Sequence, residues 1–126
     1  MHYPKKSLGQ NFLTDQNIIK KIINLKDIKN KDVVEIGPGN GAITNEILNF
    51  NPSSLTIVEK DNFLFKKLKE KYKKIKSIKF YNDDVLKINL EKIIKKNLII
   101  FGNLPYNISS QILVKLIKFK KWPPKY

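Results

Sequence analysis

The sequence predicts an α/β fold: an open parallel sheet of about four strands, with helices between them. Three observations predict it. Short apolar runs alternate along the chain with stretches whose apolar residues recur every three or four positions. A glycine-rich segment, Gly37 to Gly41, stands where the first run gives way to helical spacing. The 126 residues, 41% of them hydrophobic, suffice for one core and not for two.

Lys5 to Gln10 is basic, with Gly9 at a turn. Thr14 or Asp15 caps a helix whose Ile18, Ile19, Ile22 and Ile23 share one face. Asp27 to Asp32 is a polar loop, and Val33, Val34 and Ile36 form a buried strand ending at Gly37. Behind the glycines, Ala42, Ile43, Ile47 and Leu48 return to helical spacing. Leu55 to Glu59 is a second strand, and Phe63 to Tyr72 a helix with Leu64, Leu68 and Tyr72 stacked four apart. Ile78 to Tyr81 is a third strand, Leu90, Ile93 and Ile94 a short helix, and Leu98 to Phe101 a fourth strand. Ile112, Leu113, Leu116 and Ile117 form the apolar face of a last helix capped near Ser109 or Ser110. Right-handed crossovers in doubly wound order set the first and fourth strands side by side, with a ligand crevice at their carboxyl ends. Leu98 to Phe101 is apolar on both faces, as a central strand is, yet no fifth strand follows. The expectation is an incomplete sheet, with residues 1–126 the amino-terminal part of a longer protein.

Composition narrows the chemistry. Twenty-five basic residues, all lysine, oppose 11 acidic ones, a net charge of +14 that favours a polyanionic partner, nucleic acid before an anionic membrane. Codon bias toward lysine also contributes to such a balance. The absence of cysteine excludes a disulfide framework, a zinc ribbon and a thiol nucleophile. The single histidine, His2, leaves little room for a histidine metal site or triad. No apolar stretch is long enough for a bilayer, and the expected location is the cytoplasm.

Glu35, Gly37, Gly39 and Gly41 make an ExGxGxG pattern at a strand-to-helix junction, where missing side chains let a ligand approach the backbone. Packing alone also produces such turns. Glu59, at the end of the second strand, stands where an acid accepts hydrogen bonds from two ribose hydroxyls, and Asp84 follows the third strand, placed for an adenine amine. The tight GxGxG spacing and the acids Asp83 and Asp84 disfavour a diphosphate but suit a cationic sulfonium. S-adenosylmethionine is therefore favoured over NAD.

The fourth strand leads into Gly102, Asn103, Leu104, Pro105 and Tyr106. As bare structure this is a strand exit and a proline turn. Beside a bound methyl donor it answers a specific need. The lone pair of an exocyclic adenine amine is delocalised into the ring and must be localised before in-line attack. The Asn103 side-chain oxygen and the Leu104 carbonyl each accept an amine hydrogen, Pro105 fixes the backbone direction and Tyr106 offers a flat face to the base. Orientation and preorganised acceptors then carry catalysis, with no strong base or nucleophile.

These pieces resemble the ribosomal RNA small-subunit (16S) adenine N6,N6-dimethyltransferase family. The matching segments are GQNFL (Gly9 to Leu13), EIGPGNGAIT (Glu35 to Thr44), VEKD (Val58 to Asp61), NDDVL (Asn82 to Leu86) and GNLPYNIS (Gly102 to Ser109). The resemblance implies a Rossmann-like S-adenosylmethionine-dependent methyltransferase that dimethylates two adjacent adenosines near the 3′ end of small-subunit rRNA, with a role in ribosome biogenesis. It implies that Asn11, Leu13, Gly37, Glu59, Asp84 and Asn103 line the cofactor site and that Asn103, Leu104, Pro105 and Tyr106 receive a flipped adenine. The expected partner is small-subunit rRNA or a ribosome assembly intermediate, with neither membrane nor metal, and the full-length protein a monomer. Family members continue into further strands and a helical carboxyl-terminal domain that grips RNA. The macrolide-resistance methylases of large-subunit rRNA share most of these motifs, but GQNFL with EIGPG looks more like the small-subunit enzymes; the mitochondrial transcription-factor relatives are a further branch. A noncatalytic RNA- or cofactor-binding fragment and, more distantly, a NAD-dependent oxidoreductase are also compatible with the residues.

Overall fold

The structure is a computed structural model and describes residues 16–25, 27–89 and 98–102. Seven elements follow in order: α1 (Gln16–Asn24), β1 (Asp32–Ile36), α2 (Ala42–Asn49), β2 (Ser54–Val58), α3 (Asn62–Lys71), β3 (Ile78–Tyr81) and β4 (Leu98–Gly102). The four strands make one sheet in the order β3-β2-β1-β4, with every pairing parallel. The first and fourth strands are neighbours as expected, and Ile36 at the end of β1 registers with Gly102 at the end of β4. The cap at Thr14 or Asp15, the helix over Leu90 to Ile94 and the last helix lie outside the described residues.

Element boundaries shift by a residue or so from those that periodicity predicts. β2 starts at Ser54 and ends at Val58, so Glu59 stands just beyond it, and α3 starts at Asn62 rather than Phe63. The cause of the second shift is a cap: the Asp61 carboxylate accepts the Leu64 N–H at 2.9 Å and starts the helix one residue early. Lys69 and Lys71 in its last turn suit the negative end of the helix dipole.

The core lies between the sheet and the layer of α1, α2 and α3. Alternation along the strands sends Val33, Leu55, Ile57, Ile78 and Ile99 to that side, against Ile19 and Ile23 of α1 and Ile43 and Ile47 of α2. Each wholly buried Ile, Leu or Val contributes roughly 1.5–3 kcal/mol. Of the four α1 isoleucines expected on one face, Ile19 and Ile23 are fully buried while Ile18 is half-exposed, because the i, i+4 pair sits at the centre of the stripe and Ile18 at its margin. Ile28 breaks the expected polarity of Asp27 to Asp32, since it is buried at the heart of the same cluster. Val34, Ile36 and Val58 point to the opposite face and are buried as well, the signature of a parallel sheet covered on both sides.

At the amino edge of the sheet, Asn30 donates its N–H to Asn51 O at 3.1 Å and Ser53 to Lys31 O at 2.8 Å. The Ser54 hydroxyl donates to Asp32 Oδ1 at 2.6 Å. These bonds hold the entries to β1 and β2 level, and so bring their exits, Gly37 and Glu59, to one height at the opposite edge.

Candidate functional site

The carboxyl ends of β1, β2 and β3 converge on the glycine loop. Gly37 still belongs to the sheet through its N–H, which donates to Val58 O at 2.9 Å. Beyond it the chain turns back over the strand ends with Gly37, Gly39 and Gly41 at φ 66°, 58° and 87°. Gly41 is held doubly. A β-carbon there would lie 3.0 Å from Leu68 Cδ2 and 3.4 Å from the Tyr72 hydroxyl, so α3 packs directly on the loop backbone where α2 begins. The Tyr72 hydroxyl also donates to Asn45 Oδ1, joining α3 to α2. Asn40 Oδ1 accepts the Ala42 N–H at 3.1 Å and satisfies one of the first amides of α2.

Glu59 is the hub. Its N–H donates to Tyr81 O at 3.0 Å, its Oε1 accepts the Gly39 N–H at 3.3 Å and its Oε2 the Asp61 N–H at 2.9 Å. The side chain therefore joins the glycine loop to the start of α3, a role that spacing alone does not disclose. Burial pushes its carboxyl above the usual range, opposed by the amide bonds from Asp61 and Gly39. A carboxylate has about four acceptor positions, and the backbone amides of Asp61, Gly39 and Lys60 that engage it do not fill them all. A buried carboxylate with acceptor capacity to spare, beside a backbone stripped of side chains, fits a ribose diol.

Asp84 stands at the exit of β3. Its Oδ1 accepts the Leu86 N–H at 3.0 Å, and its Oδ2 lies 3.6 Å from Lys60 Nζ. That ion pair is largely open to solvent on the lysine side and contributes little to stability. Asn82 is a site residue to which the sequence alone gives no role. Its Nδ2 donates to Glu59 O at 3.0 Å and to Lys60 O at 3.3 Å, tying the exit of β3 to the exit of β2. Its only signal in the sequence is its place in NDDVL.

Glu35 lies beneath the loop. It is buried on the core side of β1, registers with Ile57 and Phe101, and accepts the Thr44 hydroxyl. Burial pushes its carboxyl up to about 7, against the Thr44 hydrogen bond that lowers it, and the charge of Glu59 adds to the rise. Burial, with the Glu35 charge behind it, also pushes the Tyr72 hydroxyl up to about 12. Because the folded-state carboxyl of Glu35 titrates above its unfolded value of 4.5, its protonated form favours folding. The stability this contributes is complete at low pH and lost as pH rises through about 7. Glu35→Gln keeps an acceptor for Thr44 without the charge. Its urea midpoint is expected to gain on the parent's steadily as pH rises from 4.5 to about 7, and a constant difference across that range would refute the assignment.

Of the predicted site residues, the structure brings Gly37, Glu59 and Asp84 to one edge. Asn11, Leu13, Asn103, Leu104, Pro105 and Tyr106 lie outside the described residues. Asn103 follows Gly102, the residue that closes β4 beside Ile36 and the start of the glycine loop. Among the described residues no helix is long and apolar enough to cross a membrane.

Residues 1–125 match the family model described as ribosomal RNA adenine dimethylase. The chain is 52% identical over 113 residues to the ribosomal RNA small subunit methyltransferase A of Pelagibacter ubique strain HTCC1062, covering 90% of this chain and 42% of that protein. Among solved structures, a dimethyladenosine transferase from Plasmodium falciparum superposes with a TM-score of 0.74 at 28% identity, covering 91% of this chain and 40% of that one. The 23S rRNA methyltransferase ErmE superposes with a TM-score of 0.72 at 29% identity, covering 86% and 43%. The chain thus spans less than half the length of these relatives, and its sheet is the Rossmann-like sheet of the methyltransferases. By its parallel strand order, its glycine loop and a match along nearly its whole length, the chain belongs to the ribosomal RNA adenine dimethylase family.

Proposed function

We propose that the chain is the cofactor-holding, amino-terminal part of an rRNA adenine N6-methyltransferase of the cytoplasm. The protein would move methyl groups from S-adenosylmethionine to the N6 amines of two adjacent adenosines near the 3′ end of small-subunit rRNA, and so act in ribosome biogenesis. The observation that carries the reading is the Glu59 carboxylate, shared between the Gly39 and Asp61 amides at the mouth of the glycine loop. When bound, S-adenosylmethionine supplies an electrophilic methyl group on a cationic sulfur. Glu59 would hold the ribose and Asp84 the adenine amine, while the backbone at Gly37 allows close approach and the carboxylates complement the positive charge. Asn11, Leu13 and Asn103 complete the set by resemblance. Asn103 and Leu104 would accept the amine hydrogens of the target adenine, with Pro105 and Tyr106 setting the plane in which the base lies.

The test uses the full-length protein, S-adenosylmethionine carrying a labelled methyl group, and unmethylated small-subunit and large-subunit rRNA. Label is expected in dimethyladenosine of the small-subunit RNA. Label in the large-subunit RNA alone would overturn the substrate assignment. Calorimetric binding of NAD in place of S-adenosylmethionine would overturn the cofactor.

A further inference from the structure

The net charge is not spread evenly. Between residues 66 and 79 stand eight lysines against one glutamate, half of the chain's net charge of +14. All eight are exposed. Only Lys73 has a carboxylate partner among the described residues, Glu70 at 2.7 Å. Residues 32–59, by contrast, contain no lysine. The crevice edge is acidic instead, with Glu59, Asp61, Asp83 and Asp84.

The topology gathers most of these lysines on one flank. α3 runs from the crevice edge back toward the amino edge of the sheet and the turn after it carries Lys73, Lys74 and Lys76, whereas Lys79 of β3 alternates with Ile78 and Phe80 and faces the other side of the sheet. Two aromatic rings are set into that flank. Lys67 Nζ lies 5.5 Å from the centroid of Phe63, and Lys69 Nζ 5.7 Å from that of Phe65. Phe65 in turn meets Phe80 of β3 edge to face at 6.3 Å. In each pair the ammonium group itself lies over the ring, which holds the lysine on the flank and spends part of its conformational freedom.

We propose that the flank formed by α3 and the turn that follows it is a docking surface for the phosphodiester backbone of the RNA substrate, remote from the flipped base. The proposal rests on the methyltransferase reading above. Carboxylates that suit a cationic cofactor repel phosphates, so an RNA backbone is better attracted away from them, and among the described residues this flank is where lysines are most densely placed. An anionic membrane fits less well, because the exposed apolar residues beside these lysines, Phe63 and Ile75, lie twelve positions apart and make no apolar stripe.

The experiment compares the full-length protein with its Lys66→Gln/Lys69→Gln/Lys74→Gln and Lys66→Arg/Lys69→Arg/Lys74→Arg variants. The glutamine variant should keep its S-adenosylmethionine affinity and its unfolding midpoint. Its KM for RNA should rise about 10- to 100-fold at roughly 0.1 M salt with kcat unchanged, and its log-affinity against log-salt slope should flatten by about 2–3, at roughly 0.7–0.9 for each phosphate no longer neutralised. The arginine variant should match the parent. A parent that methylates RNA alongside a glutamine variant with unaltered KM and slope would sink the surface assignment alone. A parent that transfers no methyl to RNA would sink the reading beneath it. Phosphatidylserine vesicles that displace RNA from the parent but not from the glutamine variant would give the surface to a membrane and overturn the proposal.

Discussion

Glu59→Ala in the full-length protein is expected to weaken S-adenosylmethionine binding by about 100- to 10,000-fold, the equivalent of two hydrogen bonds to a charged acceptor at roughly 1.5–3 kcal/mol each. The loss of fold stability should be far smaller. Two backbone amides, at Gly39 and Asp61, lose their acceptor. Against this, a carboxylate disfavoured by burial disappears, and the charge that raises the Glu35 carboxyl goes with it. Glu59→Gln retains one oxygen to accept from one of the two N–H groups but turns its NH2 donor toward the other, and should fall between alanine and parent. Titration calorimetry and urea unfolding on the same samples separate the two effects. Equal affinity in parent and alanine variant would remove Glu59 from the cofactor site.

Asn103→Ala should lower kcat by about 100- to 1,000-fold, the scale of removing one preorganised acceptor or donor from a reacting centre. Cofactor binding should weaken and remain measurable, because the glycine loop, Glu59 and Asp84 stay in place. Position supports this role as much as chemistry does. Gly102, which precedes Asn103 in the chain, registers with Ile36 at the start of the glycine loop. Single-turnover methylation of small-subunit rRNA with saturating S-adenosylmethionine is the measurement. An undiminished rate would show that the amine is oriented by some other group.

The order of the strands and the place of the crevice are legible in the chain, because both follow from periodicity and the handedness of crossovers, which are local rules. Gly37, Glu59 and Asp84 become neighbours by the same rules, each being a residue that leaves a strand. Bonds between side chains brought together by packing are not legible in this way. Thr44 is fully buried among Ile43 and Ile47, and its partner Glu35 sits in an otherwise apolar strand. Two polar residues on buried faces within one loop of each other are a signal that each needs the other. The double engagement of Glu59, the link from Tyr72 to Asn45 and the bridging amide of Asn82 leave no comparable trace, since each joins residues whose separate exposures periodicity does not fix.

The pairing of β1 with β4 also has a kinetic meaning. β1 closes on β2, and β2 on β3, across single helical connections, Asp32 reaching Ser54 and Leu55 reaching Ile78. β4 must find β1 from much farther along the chain, Leu98 reaching back to Asp32 past both other strands. Long loops close at a greater entropic cost and later in folding. The half of the crevice that holds Gly37, Glu59 and Asp84 is therefore encoded in the early, local closures. The pairing that sets Gly102 beside Ile36 spans the longest stretch of chain, so the edge that carries Gly37, Glu59 and Asp84 is assembled before β4 joins it.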